Sequence, residues 1–120
     1  MSSHLVVKLT WGVEAPERTN QALTVAATAL ASGVEVSLWL TGEGAWLGVP
    51  GRADLLDLPH GAPAADLLAA LVEGGRVTVC TQCAARRDLT EEHLVPGVMI
   101  RGAAAYVEEI MAPETQALVY

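Results

Sequence analysis

The 120-residue sequence predicts an α/β protein, a three-layer α/β/α sandwich built on a mostly parallel five-stranded sheet. Three observations carry this reading. Short apolar, β-branched runs alternate along the whole chain with segments whose apolar residues recur at helical spacing. Proline at helix starts and glycine at helix ends punctuate those segments. Hydrophobic residues make up 52% and charged residues 18%, and mean hydropathy is +0.36, which excludes disorder and requires one large core in a single domain, residues 1–120.

Leu5-Val6-Val7-Lys8-Leu9 reads as the first strand, interrupted only by Lys8, and Thr10-Trp11-Gly12 as the turn after it. Pro16 opens a helix in which Leu23, Ala26, Ala27 and Leu30 form an apolar stripe and Gly33 is the C′ residue. Val34–Leu40 is the second strand, closed by the loop Thr41-Gly42-Glu43-Gly44. From Gly44 to Pro63 the pattern weakens, with breaks at Pro50-Gly51, Pro59 and His60-Gly61 and one helical turn at Ala53-Asp54-Leu55-Leu56. Pro63 then opens a second helix with Leu67, Leu68, Leu71 and Val72 on its apolar face, ending at Gly74-Gly75.

Arg76-Val77-Thr78-Val79-Cys80 is the third strand, followed by a helical turn or two over Gln82–Arg87 and a turn capped by Thr90. Val98-Met99-Ile100-Arg101 is the fourth strand. After Gly102, Ala103–Met111 is helical with Ala103, Val107 and Ile110 on the expected buried face, Pro113 bars continuation, and Ala117–Tyr120 is the fifth strand.

Fourteen acidic against seven basic residues leave a net charge of −7, which excludes nucleic acid and anionic membranes as expected partners. No apolar run reaches membrane-spanning length. Met1-Ser2-Ser3-His4 carries no basic region of a secretion signal, so the cytoplasm is the expected location. Gly42-Glu43-Gly44-Ala45-Trp46-Leu47-Gly48 misplaces the third glycine of a dinucleotide fingerprint and sets Glu43 where a phosphate would lie, so no nucleotide cofactor is expected.

Ligands of open parallel sheets bind beyond the carboxyl ends of the strands. That places Thr10, Trp11, Gly12, Thr41, Gly42, Gly102 and both cysteines of Cys80-Thr81-Gln82-Cys83 at the candidate pocket. Cys80 is the better nucleophile and Cys83 a resolving thiol, with Arg86 and Arg87 placed to stabilise the anion. Alternatively both cysteines are small core side chains, or the pair is a thiol–disulfide couple. Trp11, Trp39 and Trp46 either wall the pocket or serve core and interface packing. Two cysteines supply half a zinc set, and His4, His60 and His93 stand at no matching spacing, so no metal is expected.

The order of these segments, above all Val77-Thr78-Val79-Cys80 followed by Ala84-Ala85-Arg86-Arg87, resembles the DsrE/DsrF family of small sulfur-relay proteins over nearly the whole chain. The resemblance implies a homo-oligomer, trimeric or hexameric, or a hetero-hexamer. It also implies a sulfane sulfur received on Cys80 as a persulfide and passed from a donor protein to an acceptor. Two departures stand out: Asp88 occupies a position where many members have glycine, and Cys83 is additional to the matched cysteine.

Overall fold

The computed structural model describes residues 3–120. Its five strands are β1 (His4–Leu9), β2 (Glu35–Leu40), β3 (Arg76–Cys80), β4 (Met99–Arg101) and β5 (Thr115–Val119). They form one sheet in the order β4-β3-β2-β1-β5 with every pairing parallel. The helices are α1 (Pro16–Ala31), α2 (Ala64–Gly74), α3 (Thr81–Arg86) and α4 (Ala103–Ile110). The fifth strand lies two residues earlier than its apolar run suggests, because Thr115 pairs with His4 and draws the chain into the sheet before Ala117.

Strand order explains the layers. The chain steps from β1 through β4 in one direction, so right-handed crossovers put α1, α2 and α3 on one face. The return from β4 to β5 crosses the whole sheet, which carries α4 over the other face. The core lies under α1 and α2: Val7, Leu9, Val36, Leu38, Leu40, Val77 and Val79 meet Ala22, Leu23, Ala26, Leu68 and Leu71. Alternation then obliges Lys8, Trp39, Thr78 and Cys80 to face α4.

Helix ends follow local chemistry. Gly33, with φ +90°, sits at the C′ position of α1, where Val34 N–H reaches Ala29 O and Gly33 N–H reaches Leu30 O. Asp88 holds the same place after α3 with φ +56°; its N–H donates to Ala85 O and that of Leu89 to Ala84 O. The left-handed backbone at this position suits glycine, and Asp88 adopts it at a cost.

The helical turn expected at Ala53–Leu56 is present as a 3₁₀ turn over Ala53–Leu55. Two features depart from expectation. The loop after β2 continues into a 3₁₀ segment, Gly42–Gly48, whose three-residue turns do not produce an α-helical apolar stripe. In α4 the anticipated buried face is wrong: Val107 is 51% exposed and Ala103 is exposed, while Tyr106 and Glu109 point at the sheet. The reason is that the sheet face below presents Trp39, Thr78 and Arg101, which an aromatic ring and a carboxylate satisfy better than aliphatic side chains.

Candidate functional site

Cys80 is the last residue of β3 and the N-cap of α3, with extended φ −63° and ψ 134°. The strand-to-helix turn leaves its thiol partly accessible, whereas Cys83, three residues on, is buried among the apolar residues under α3. Both thiols are free. Gly42 N–H donates to Cys83 Sγ at 3.1 Å, so Cys83 joins the loop after β2 to α3. Gly42 has φ +54°, and a Cβ there would lie 2.9 Å from Thr10 O; only glycine fits this crossing of two loops.

Several influences act on the Cys80 thiol. Burial is the largest and raises its pKa, but the N–H groups of Cys83 and Gln82, the Cys83 side chain and the positive charge of Lys8 outweigh it together. The net result is a pKa below the ordinary cysteine value, which favours the reactive thiolate. The N–H groups act by facing the sulfur, without closing a cap hydrogen bond to it.

The loops singled out by the edge rule do converge. Thr10 donates through Oγ1 to Tyr120 O at 2.7 Å, Thr41 N–H donates to Leu9 O at 2.9 Å, and Thr19 Oγ1 donates to Gly12 O at 2.7 Å. A Cβ on Gly12 would meet Glu43 O at 2.7 Å, and one on Gly102, the N-cap of α4, would meet Thr81 Oγ1 at 3.4 Å. Trp11 turns outward, 38% exposed, with the Arg18 guanidinium 4.8 Å from its ring centroid. Trp46 is stacked by Arg52 at 4.5 Å, and Trp39 lies under α4 against Tyr106. The three tryptophans therefore do not share one pocket.

The arginine pair takes a role other than the anticipated one. Arg87 donates to Glu43 Oε2 at 2.9 and 3.1 Å and to Cys83 O at 3.0 Å, so its charge is matched by a carboxylate and its fork braces the loop. Arg86 is exposed and makes no side-chain hydrogen bond or ion pair among the described residues. Neither is among the groups that lower the Cys80 pKa; the cation that does so is Lys8. Its signal was present in the sequence: the chain's one lysine interrupts an otherwise apolar strand.

Around Lys8 the α4-facing side of the sheet is polar and aromatic. Lys8 Nζ stands 5.3 Å from the Tyr106 ring centroid, and that ring meets Trp39 edge-on at 5.3 Å. Burial raises the Tyr106 pKa, which keeps the phenol neutral. His93 caps its own turn by accepting from Thr90 N–H, and His4 lies 3.1 Å from Glu35 at the amino ends of the strands. A groove of about 530 Å³ opens at that opposite end, lined by residues including Ser37, Arg76, Arg101 and Glu109; Cys80 is not among its walls.

A model of the DsrE/DsrF-like family matches residues 5–112. Among solved structures, the ychN protein from E. coli superposes with a TM-score of 0.80 at 18% identity, covering 100% of both chains. A protein of unknown function, MTH1491 from Methanobacterium thermoautotrophicum, gives 0.75 at 10% identity over 99% of this chain and 100% of its own. Another of unknown function, BT1422 from Bacteroides thetaiotaomicron, gives 0.60 at 14% identity over 98% and 95%. No curated protein matches the chain. At these identities the structural likeness shows a shared fold.

Proposed function

The chain belongs to the DsrE/DsrF-like family, and on that premise we propose that it is a small sulfur carrier, accepting sulfane sulfur on Cys80 as a persulfide and passing it to a partner protein. The observation that carries this reading is the contrast between the two thiols. Cys80 is partly accessible with a lowered pKa, while Cys83 is buried and engaged by Gly42 N–H. The Cys80 thiolate attacks the donor's sulfane sulfur, and the donor's leaving group departs with the electron pair of the broken bond. The terminal persulfide sulfur then meets an acceptor thiolate in the reverse sense.

The proposal includes a self-assembled carrier in a reducing compartment, the cytoplasm, where both thiols stay free. No helix among the described residues is long and apolar enough to cross a membrane. Val107 on α4, Met111 just past its end and Val119 on the edge strand β5 are 51%, 75% and 66% exposed, a surface suited to a second copy of the chain.

Intact-protein mass spectrometry after incubation with a sulfane-sulfur donor tests the carrier role. Wild type and Cys83→Ser gain one reducible sulfur, and Cys80→Ser gains none. Loading of Cys80→Ser, or no loading of any variant whose Cys80 is open to alkylation, rejects it; the second result leaves an interaction subunit with structural cysteines.

A further inference from the structure

Beyond its effect on the Cys80 thiol, the charge of Lys8 has no part in the carrier step. Register sets Lys8 beside Trp39 and Trp39 beside Thr78, and Cys80 follows two residues along β3 on the same sheet face. Lys8 is half-buried, and among the described residues no carboxylate stands within ion-pair distance of it. Its ammonium is held over the Tyr106 ring, which is itself fixed against Trp39. The two arginines at the end of α3 do not replace it, since Arg87 is matched by Glu43 and Arg86 is exposed.

A half-buried cation with an aromatic support and no counter-ion, on the face that carries a nucleophilic thiol, is arranged to receive an anion from solution. We propose that Lys8 is the positioning residue of the site, drawing anionic electrophiles to Cys80 in preference to neutral ones. Combined with the carrier reading, on which this part rests, it makes the donor an anionic sulfane compound. With thiosulfate as the probe, the Cys80 thiolate attacks the outer sulfur and a new S–S bond forms. The bond to the sulfonate sulfur breaks, and sulfite leaves with its electron pair. Charge and electrons balance without any oxidant or reductant.

The test separates this role from sulfur chemistry. Iodoacetate and iodoacetamide alkylate the same thiolate by the same displacement, in which an S–C bond forms and iodide leaves with the C–I pair, but only iodoacetate is an anion. The ratio of their rates at Cys80, read by peptide mass spectrometry, therefore reports attraction for charge independently of the thiolate fraction. Lys8→Met is expected to lower the ratio about threefold to tenfold, and Lys8→Arg to keep it within about twofold of wild type. Lys8→Gln serves as a second neutral variant should the Met variant not fold.

An unchanged ratio in a folded neutral variant overturns the proposal, as does a native Cys80 closed to both reagents. Thiosulfate loading that falls in Lys8→Met and returns in Lys8→Arg extends the role to sulfur transfer. If wild type takes no sulfur from thiosulfate while the alkylation ratio still depends on Lys8, the anionic-donor reading fails and the positioning role stands.

Discussion

At the scale of single residues, backbone conformation and thiol chemistry make separate demands on the segments around α3. Asp88 occupies a left-handed position, φ +56°, at the end of α3. An L-residue there is strained by roughly 1–2 kcal/mol, less for aspartate than for most, and glycine is not. Asp88→Gly is therefore expected to stabilise the protein by about 0.5–1 kcal/mol, raising Tm by a few degrees in calorimetry; a lower Tm would show that the Asp88 side chain contributes more than its backbone costs. Gly42 is the opposite case. Gly42→Ala adds a Cβ 2.9 Å from Thr10 O at φ +54°, and is expected to lose about 2 kcal/mol or more in denaturant unfolding. The lowered Cys80 pKa has its own signature. Its alkylation rate, followed against pH, rises to a plateau with a midpoint below that of an unperturbed cysteine, about 8.5, and Lys8→Met moves the midpoint upward.

Among the elements, α4 shows where sequence periodicity stops being informative. Ala103, Val107 and Ile110 form an acceptable apolar stripe, yet the helix turns Tyr106 and Glu109 inward because of what the sheet presents beneath it. No local pattern in α4 contains that information. The 3₁₀ segment at Gly42–Gly48 was obscure for a different reason, having no helical apolar period to read. By contrast β1, α1, β2, α2 and β3 were legible because their buried faces meet one uniformly apolar core. The polar anchor of α4 is Glu109, which accepts from Trp39 Nε1 at 3.1 Å, Arg76 at 3.1 Å and Arg101 at 2.7 Å, while Arg101 also donates to Thr78 at 2.8 Å. Burial acts most strongly on this carboxyl and raises its pKa, but the Ser37 and Trp39 side chains and Arg101 prevail, so the pKa is lowered. A lowered carboxylate pKa stabilises the fold fully above the unfolded value, about 4.3, and the contribution is lost as pH falls through the folded value below it. Glu109→Gln is expected to cost about 2–4 kcal/mol at neutral pH by leaving Arg101 without its partner. The same variant should flatten the acid limb of the stability–pH curve; an unchanged acid limb would locate the acid sensitivity elsewhere.

For the whole molecule, edge placement of the candidate site residues was legible and the strand order was not. The rule that parallel sheets bind ligands at their carboxyl edge needs only the succession of strands and helices, which is enough to place Cys80, Gly42, Thr41 and Gly102 at that edge. The order β4-β3-β2-β1-β5 depends on pairing between distant segments, and it is this order that sends α4 across the far face and brings Tyr106 to Lys8. It also leaves β5 as an edge strand with Gln116, Ala117, Leu118 and Val119 exposed, while Val107 on α4 and Met111 just past its end are exposed as well. A parallel edge with apolar side chains and no charge on its own residues lacks the devices that keep sheet edges from pairing. The seven surplus negative charges oppose non-specific association over the rest of the surface. The self-assembly proposed for the chain has its expected interface on the β5 and α4 surface, and the double variant Met111→Glu, Val119→Asp sets one carboxylate at the end of α4 and one on β5. Sedimentation equilibrium at micromolar concentration should find wild type in a closed oligomer and the variant as a folded monomer of the chain mass, 12.5 kDa. A wild-type monomer would remove the oligomer from the proposal, and an oligomeric variant would move the interface to another face, in both cases without touching the chemistry assigned to Cys80.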